Sequence, residues 1–118
     1  NKRYTLSPPN VFSYSLTIKY NYLFYRSLND LGLIYLTVFD DIEKAIDNIK
    51  ESAFGEYPFA QNNYGLLYQF YLNNLENAEH FYKRSSEHQF ALAEYNLGYL
   101  KEQEGKSEEA IEYYIRAS

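Results

Sequence analysis

The spacing of apolar positions over residues 23–118 is that of amphipathic helices. In one block, apolar side chains fall at Tyr64, Leu67, Tyr68 and Tyr71, which are the i, i+3, i+4 and i+7 positions that share one helix face. Blocks of this kind alternate with short polar stretches rich in Asn, Asp, Gly and Ser, which are typical of helix ends and turns. The pattern predicts a series of short helices joined by tight turns.

These helical blocks repeat along the chain. The repeat is marked by Gly32, Gly65 and Gly98, which are equally spaced. A second column of small residues follows at nearly the same interval and comprises Ala45, Ala78 and Ala110. A period of about 33 residues accommodates two helices and two turns, but it is too short for a βαβ unit with its connections. We therefore predict an all-α fold, a right-handed α-solenoid of about three antiparallel helix-turn-helix repeats.

The predicted repeat domain covers residues 23–118. It divides into units at about 23–55, 56–88 and 89–118. Residues 1–22 are assigned to an N-terminal tail, which contains Pro8-Pro9, and to a degenerate capping segment.

The segment 12–22 has two interpretations. Its apolar and polar residues alternate, as in a strand, and a strand would belong to a preceding domain. Helical spacing also fits through Phe12, Leu16 and Tyr20. We favour a helix, the second of a degenerate preceding repeat, because the first face of a solenoid has to be covered.

The recurrence of glycine inside helices requires a physical reason. Glycine costs roughly 1 kcal/mol relative to alanine in a helix interior. We predict that the glycine column allows the two helices of a unit to approach closely, with the alanine column across the contact. Large residues are expected to fill the surrounding space, among them Ile49, Tyr82 and Tyr114.

Several stretches of the chain resemble a known family. The stretch Ser85–Gly98, which reads SSEHQFALAEYNLG, resembles the signature of Sel-one-like repeats, which are relatives of the tetratricopeptide repeat. Ala60–Tyr68 and Ala78–Ser86 are similar to it, and the resemblance extends over about 23–118. The period is shorter than is usual for that family, and its glycine-rich loop insertion is missing. The resemblance implies an α-solenoid that scaffolds or adapts other proteins and carries no chemistry of its own.

Charge and composition narrow the choice of partners. Residues 1–29 carry four basic residues and no acid, whereas the remainder carries seven basic and sixteen acidic residues. Because an acidic body repels phosphate backbones, we expect no nucleic-acid binding, and a basic peptide is the more natural ligand. No apolar run is long enough to cross a membrane.

The chain contains no cysteine, which excludes disulfides and thiolate metal sites and favours a cytoplasmic location. It also contains no methionine, so we expect it to be a piece of a longer or processed protein.

Candidate catalytic and metal sites are weak. His80 and His88, the only histidines, lack the i, i+4 spacing of a helical ligand pair. The acids of residues 102–112 span a turn and a helix start, where carboxylates stabilise the positive helix end. We therefore predict no cofactor, no metal and no enzymatic activity.

A binding groove is the stronger candidate. Helical solenoids bind their ligands on an extended concave surface, and the residues of each first helix that point away from the second helix are expected to line it. These are Asn29, Leu33, Asn62, Leu66, Gln69, Tyr95, Tyr99 and Glu102. The alternative for Leu33, Leu66 and Tyr99 is that they only pack neighbouring units.

The resulting hypothesis is a non-catalytic protein–protein interaction or adaptor module. The alternative is a regulatory repeat segment of a larger enzyme, such as a signalling kinase. Self-association of the chain through Ile111, Tyr114 and Ile115 is also expected.

Overall fold

The computed structural model describes residues 11–118, with side chains from residue 19 onward. The predicted tail at residues 1–10 lies outside the described residues. Within the described range the regular secondary structure is helical. The helices are α1 (Val11–Thr37), α2 (Ile42–Phe54), α3 (Pro58–Phe70), α4 (Leu75–Ser86), α5 (Ala91–Gln103) and α6 (Ser107–Ala117).

The six helices form three pairs stacked side by side. The most extensive packing is within the pairs α1–α2, α3–α4 and α5–α6, and the pairs join through α2–α3 and α4–α5. Short turns make the helices of each pair antiparallel. The described part forms a slab of 52 × 34 × 20 Å. The predicted all-α solenoid is confirmed.

The N-terminal segment joins the first repeat without a break. Residues 11–22 are helical and continue directly into the rest of the 27-residue helix α1. The segment is therefore helical, as favoured, and not a strand, but it extends the first helix of unit one and is not a separate helix of a preceding repeat. The physical reason is that neither Pro nor Gly interrupts residues 11–31, so nothing in the chain stops the helix before the first repeat.

The glycine column lies where the paired helices are in direct contact. A Cβ atom added to Gly65 would lie 2.5 Å from Cε1 of Tyr82, which is fully buried. The atoms nearest to the glycines belong to the large residue four positions after each alanine, and not to the alanine side chains themselves. A Cβ atom added to Gly32 would lie 2.6 Å from Ile49 Cγ1, and one added to Gly98 would lie 2.7 Å from Tyr114 Cδ1.

Two buried serines tie the second helix of a pair to the first. Ser52 Oγ donates to the carbonyl oxygen of Tyr25 at 2.5 Å, and Ser85 Oγ donates to that of Pro58 at 2.8 Å. Because the two serines are separated by the same interval as the glycines, the bond recurs with the repeat. It fixes α2 and α4 at equivalent positions along the axes of their partner helices.

The turns use left-handed backbone positions that also recur. Asp40 and Asn73 have φ of 53° and 51° in the turns within pairs, and Glu56 and Gln89 have 65° and 59° in the turns between pairs. This conformation is costly for residues with a Cβ, since the Cβ approaches the following carbonyl oxygen. The sharp turns are therefore held by the packing of the helices that they connect.

Replacing Gln89 by glycine is expected to raise the free energy of unfolding by about 0.5–1 kcal/mol, because glycine adopts the left-handed conformation without steric cost. Gln89 is exposed, so its side chain contributes little that the substitution would remove. Urea unfolding monitored by circular dichroism measures the change. Glu87→Gly is the matched control: Glu87 has φ of −61°, and it should lose stability. A Gln89→Gly variant less stable than the parent would contradict this account.

Candidate functional site

The first helices α1, α3 and α5 present one continuous surface, which we call the first-helix face. Each helix contributes side chains at the same offsets from its glycine, so equivalent residues form rows across the slab. The rows contain Arg26, Phe59 and Leu92, then Asn29, Asn62 and Tyr95, then Leu33, Leu66 and Tyr99, and then Leu36, Gln69 and Glu102.

Asn29 and Asn62 do not reach the surface of this face. They are only 3% and 1% exposed. Asn63 Nδ2 donates to Asn29 Oδ1 at 2.9 Å, and Asn96 Nδ2 donates to Asn62 Oδ1 at 2.9 Å. The prediction that Asn29 and Asn62 contact a ligand directly is therefore wrong, because the next first helix encloses their side chains.

The donors in these two Asn–Asn hydrogen bonds, Asn63 and Asn96, were not among the residues predicted from the sequence. Asn63 and Asn96 are half-buried, and the structure shows no hydrogen bond to either Oδ1 within its described range. Each oxygen can therefore accept an N–H group from a ligand backbone. In the sequence, Asn63 and Asn96 are separated by one full repeat, and each directly follows a member of the predicted row, Asn62 or Tyr95.

The predicted residues on α5 are accessible. Tyr95 and Tyr99 are 50% and 41% exposed. The Tyr95 ring lies 5.4 Å from that of Tyr114, whose hydroxyl donates to Glu102 Oε1 at 2.7 Å. This hydrogen bond, with a smaller contribution from burial, raises the pKa of Tyr114 to about 12. The bond also orients Glu102 beside the two exposed rings.

Leu33 and Leu66 lie half-buried at the junction of α1 and α3. They line an apolar cavity of about 220 Å³ that opens on the first-helix face. The two leucines thus pack between units and remain reachable from solvent. Gln69, the third predicted residue here, is engaged within its own unit, because its Oε1 accepts from the Tyr82 hydroxyl at 2.6 Å.

An aromatic ridge bounds the face at the turns between pairs. The ring centroids of Phe59 and Phe90 are 4.5 Å apart, those of Tyr57 and Phe59 5.4 Å, and those of Tyr22 and Tyr57 5.6 Å. Phe59 is half exposed, so the ridge extends the apolar surface from α1 to the start of α5.

The basic residue of α5 is not available to a ligand. Lys101 Nζ is buried against Glu79, with Nζ to Oε1 and Oε2 distances of 3.1 and 3.0 Å, and Lys83 Nζ lies 2.8 Å from Glu79 Oε2. Burial acts to raise the pKa of Glu79, but the bonds from Lys83 and Lys101 outweigh it and hold this pKa below its usual value. The carboxylate is therefore charged, and Lys101 is neutralised inside the solenoid.

The two histidines each contact a neighbouring side chain. The His80 ring lies edge-on to Phe81 with centroids 5.0 Å apart, and His88 Nε2 lies 3.9 Å from Glu56 Oε1. Over residues 19–118 no three His, Cys, Asp or Glu side chains are grouped so that they could bind a metal ion. Among the described helices, none has the length and apolar character needed to span a membrane.

Known proteins share this architecture. The family model described as tetratricopeptide repeat matches residues 95–118. No curated protein matches the chain. A crystal structure of MamA is similar with a TM-score of 0.67 and 21% sequence identity over 90% of this chain. The fold is that of tetratricopeptide-type repeats.

The match covers 63% of the MamA chain, so this chain corresponds to less than two thirds of that structure. Solenoids of tetratricopeptide-type repeats generally mediate protein–protein interaction and are generally non-catalytic. Each stacks its repeats so that an extended surface forms for binding. In this chain the first-helix face carries exposed aromatic side chains on α3 and α5.

Proposed function

We propose that this chain is a non-catalytic interaction module that holds a polypeptide on its first-helix face. The observation that carries the proposal is the set of exposed aromatic and aliphatic side chains on α3 and α5, which continues towards α1 through the half-buried Leu33 and Leu66. Phe59, Leu92, Tyr95 and Tyr99 are all exposed on this face. Tyrosines of this kind supply much of the binding energy at protein interfaces.

The polar groups of the face suit a peptide backbone. Asn63 and Asn96 lie next to the apolar row, and within the described residues the Oδ1 of each accepts no hydrogen bond. A backbone N–H group of a bound segment satisfies such an acceptor independently of the peptide sequence. The asparagines therefore provide general recognition of an extended chain, and the apolar row selects its side chains.

The charge of the module favours a basic partner. The chain has a net charge of −5, and its acidic residues lie in residues 30–118. Lys101 is already neutralised by Glu79 and Glu104, whereas Glu102 is exposed on the face. Complementary charge raises the rate of association and excludes acidic competitors.

The test is a Tyr95→Ala/Tyr99→Ala double variant. We expect it to bind at least about tenfold more weakly than the parent, since aromatic hot spots each contribute about 2 kcal/mol or more. The probe is a peptide selected from a displayed random library on the parent protein, with its affinity measured by fluorescence anisotropy.

The matched control is Ile111→Ala/Ile115→Ala, which removes exposed apolar area from α6 instead of the first-helix face. Equal affinity of the parent and the tyrosine double variant, or failure to select any peptide, would refute the proposal.

Three finer assignments accompany this proposal. The resemblance of Ser85–Gly98 supports repeats of the Sel-one-like kind, and the absence of cysteine supports a cytoplasmic location. Self-association is supported by Ile111 and Ile115, which are exposed on α6. Tyr114 does not belong to that surface, because its ring packs against Gly98 inside its own pair. No observation favours the alternative of a regulatory enzyme segment.

A further inference from the structure

Units one and two differ in the side chains that lie beneath the first-helix face, next to the glycine of each unit. In unit two, the Tyr82 ring packs over Gly65 and its hydroxyl donates to Gln69, so this position is filled. The equivalent residues of unit one are Ile49 and Leu36, which lie one repeat earlier in the chain. Because isoleucine is shorter than tyrosine and leucine offers no hydrogen bond, the position between α1 and α3 is left open.

The open position is the apolar cavity of about 220 Å³. It is lined by the buried side chains of Ile49 and Leu67, by the half-buried Leu33 and Leu66, and by the exposed Phe70. An apolar cavity of about 150 Å³ in a protein is sufficient to stay dry and to bind benzene. The volume and lining are therefore suitable for one large hydrocarbon side chain.

We propose that this cavity is the anchor site for a single leucine-like or phenylalanine-like side chain of the bound polypeptide. The inference rests on the proposed function and specifies its ligand. Asn63, which lines the same cavity, offers its Oδ1 to the backbone N–H of the anchored residue. The occupant is thus a peptide segment and not a free lipid chain, which has no N–H group to donate.

The charge around the cavity indicates which residues of the ligand would flank the anchored side chain. The turn that follows α1 begins soon after Leu36 and carries the exposed carboxylate of Asp40. The C-terminal ends of α1 and α3 lie at this side of the face and direct their partial negative charge towards it. The expected ligand is therefore a large apolar residue flanked by Lys or Arg.

The repeat itself supplies a variant that closes the cavity. In Ile49→Tyr/Leu36→Gln, unit one receives the residues of unit two, with the new tyrosine over Gly32 as Tyr82 lies over Gly65. The probes are N-acetyl-leucinamide, N-acetyl-phenylalaninamide and N-acetyl-alaninamide, added to ¹⁵N-labelled protein. We expect the leucine and phenylalanine probes, but not the alanine probe, to shift the amide signals of Leu33, Asn63 and Leu66. The double variant should lose these shifts.

Two further variants keep the result interpretable. Ile34→Gln is the control, because Ile34 is exposed on α1 and is not part of the cavity lining. Leu33→Gln places a polar group in the wall and decides the question if the double variant does not fold. A parent protein that shows no shift with the leucine or phenylalanine probe, or variants of the lining that respond like the parent, would overturn the inference.

The two proposals fail in different ways. Selected peptides that bind through Tyr95 and Tyr99 with equal affinity for the parent and the cavity-closing variant would overturn the anchor site and leave the proposed function standing. Shifts with the leucine probe in a protein that selects no peptide would support the cavity and refute the polypeptide-binding function. If both proposals hold, closing the cavity weakens the selected peptide at least tenfold, and its consensus contains Leu or Phe beside Lys or Arg.

Discussion

Replacing Tyr82 by alanine is expected to lower the free energy of unfolding by about 3–5 kcal/mol, the range found when a large buried aromatic side chain is truncated. Tyr82 is fully buried in α4, where its ring packs against Gly65 and its hydroxyl donates to Gln69 at 2.6 Å. Truncation would leave a cavity in the central pair and would remove the donor to Gln69. Because solenoid repeats are stabilised by their neighbours, the loss should affect the whole stack.

Urea unfolding followed by circular dichroism measures this effect. Tyr82→Phe separates the ring from the hydroxyl and should cost only about 1 kcal/mol, the usual net contribution of one hydrogen bond. Tyr71→Ala is the matched control, since Tyr71 is exposed. If Tyr82→Ala and Tyr71→Ala unfold at the same urea concentration, the assignment of Tyr82 to the core is wrong.

Replacing Gly65 by leucine is expected to lower the free energy of unfolding by about 1–3 kcal/mol through overpacking. Even the first carbon of the new side chain would lie 2.5 Å from the ring of Tyr82, which is fully buried. A shift of several degrees in the thermal midpoint should result for a domain of this size. An unchanged midpoint would disprove the close approach.

The two substitutions test one contact from both sides. In a Gly65→Leu/Tyr82→Ala double variant, the leucine would occupy part of the space that the tyrosine ring leaves. The two losses should therefore be less than additive, as is expected for residues in direct contact. Gln103→Leu is the control for the added leucine, because Gln103 is an exposed position in α5. Strict additivity would show that Gly65 and Tyr82 act independently.

The same contact explains why the units are similar but not equivalent. Tyr82 and Tyr114 each cover a glycine of the paired helix, and in both the hydroxyl donates to a side chain of that helix, Gln69 or Glu102. Ile49 covers Gly32 in unit one without a hydroxyl group. The repeat thus maintains the helix packing in all three units, while the residue that packs on the glycine decides whether a cavity opens on the first-helix face.

The sequence alone was sufficient for the fold, because the features that determine it are local and periodic. Helical spacing, turn residues and the regular recurrence of Gly32, Gly65 and Gly98 all depend on the order of the chain. The length of helix α1 was not determined by the sequence in this way. Residues 12–22 satisfy two periods, and only the absence of an interruption before Gly32 favours one continuous helix.

The accessible part of the first-helix face was decided by the tertiary structure, because the distance to the next helix determines which side chains of a helix reach solvent. Asn62 and Asn63 are adjacent in the chain, yet the approach of α5 buries the first and leaves the second at the surface. The cavity beside Leu33 likewise exists because α1, α2 and α3 surround a volume that the side chain of Ile49 does not fill. Periodicity determines which residues are equivalent, and packing determines which of them a ligand can reach.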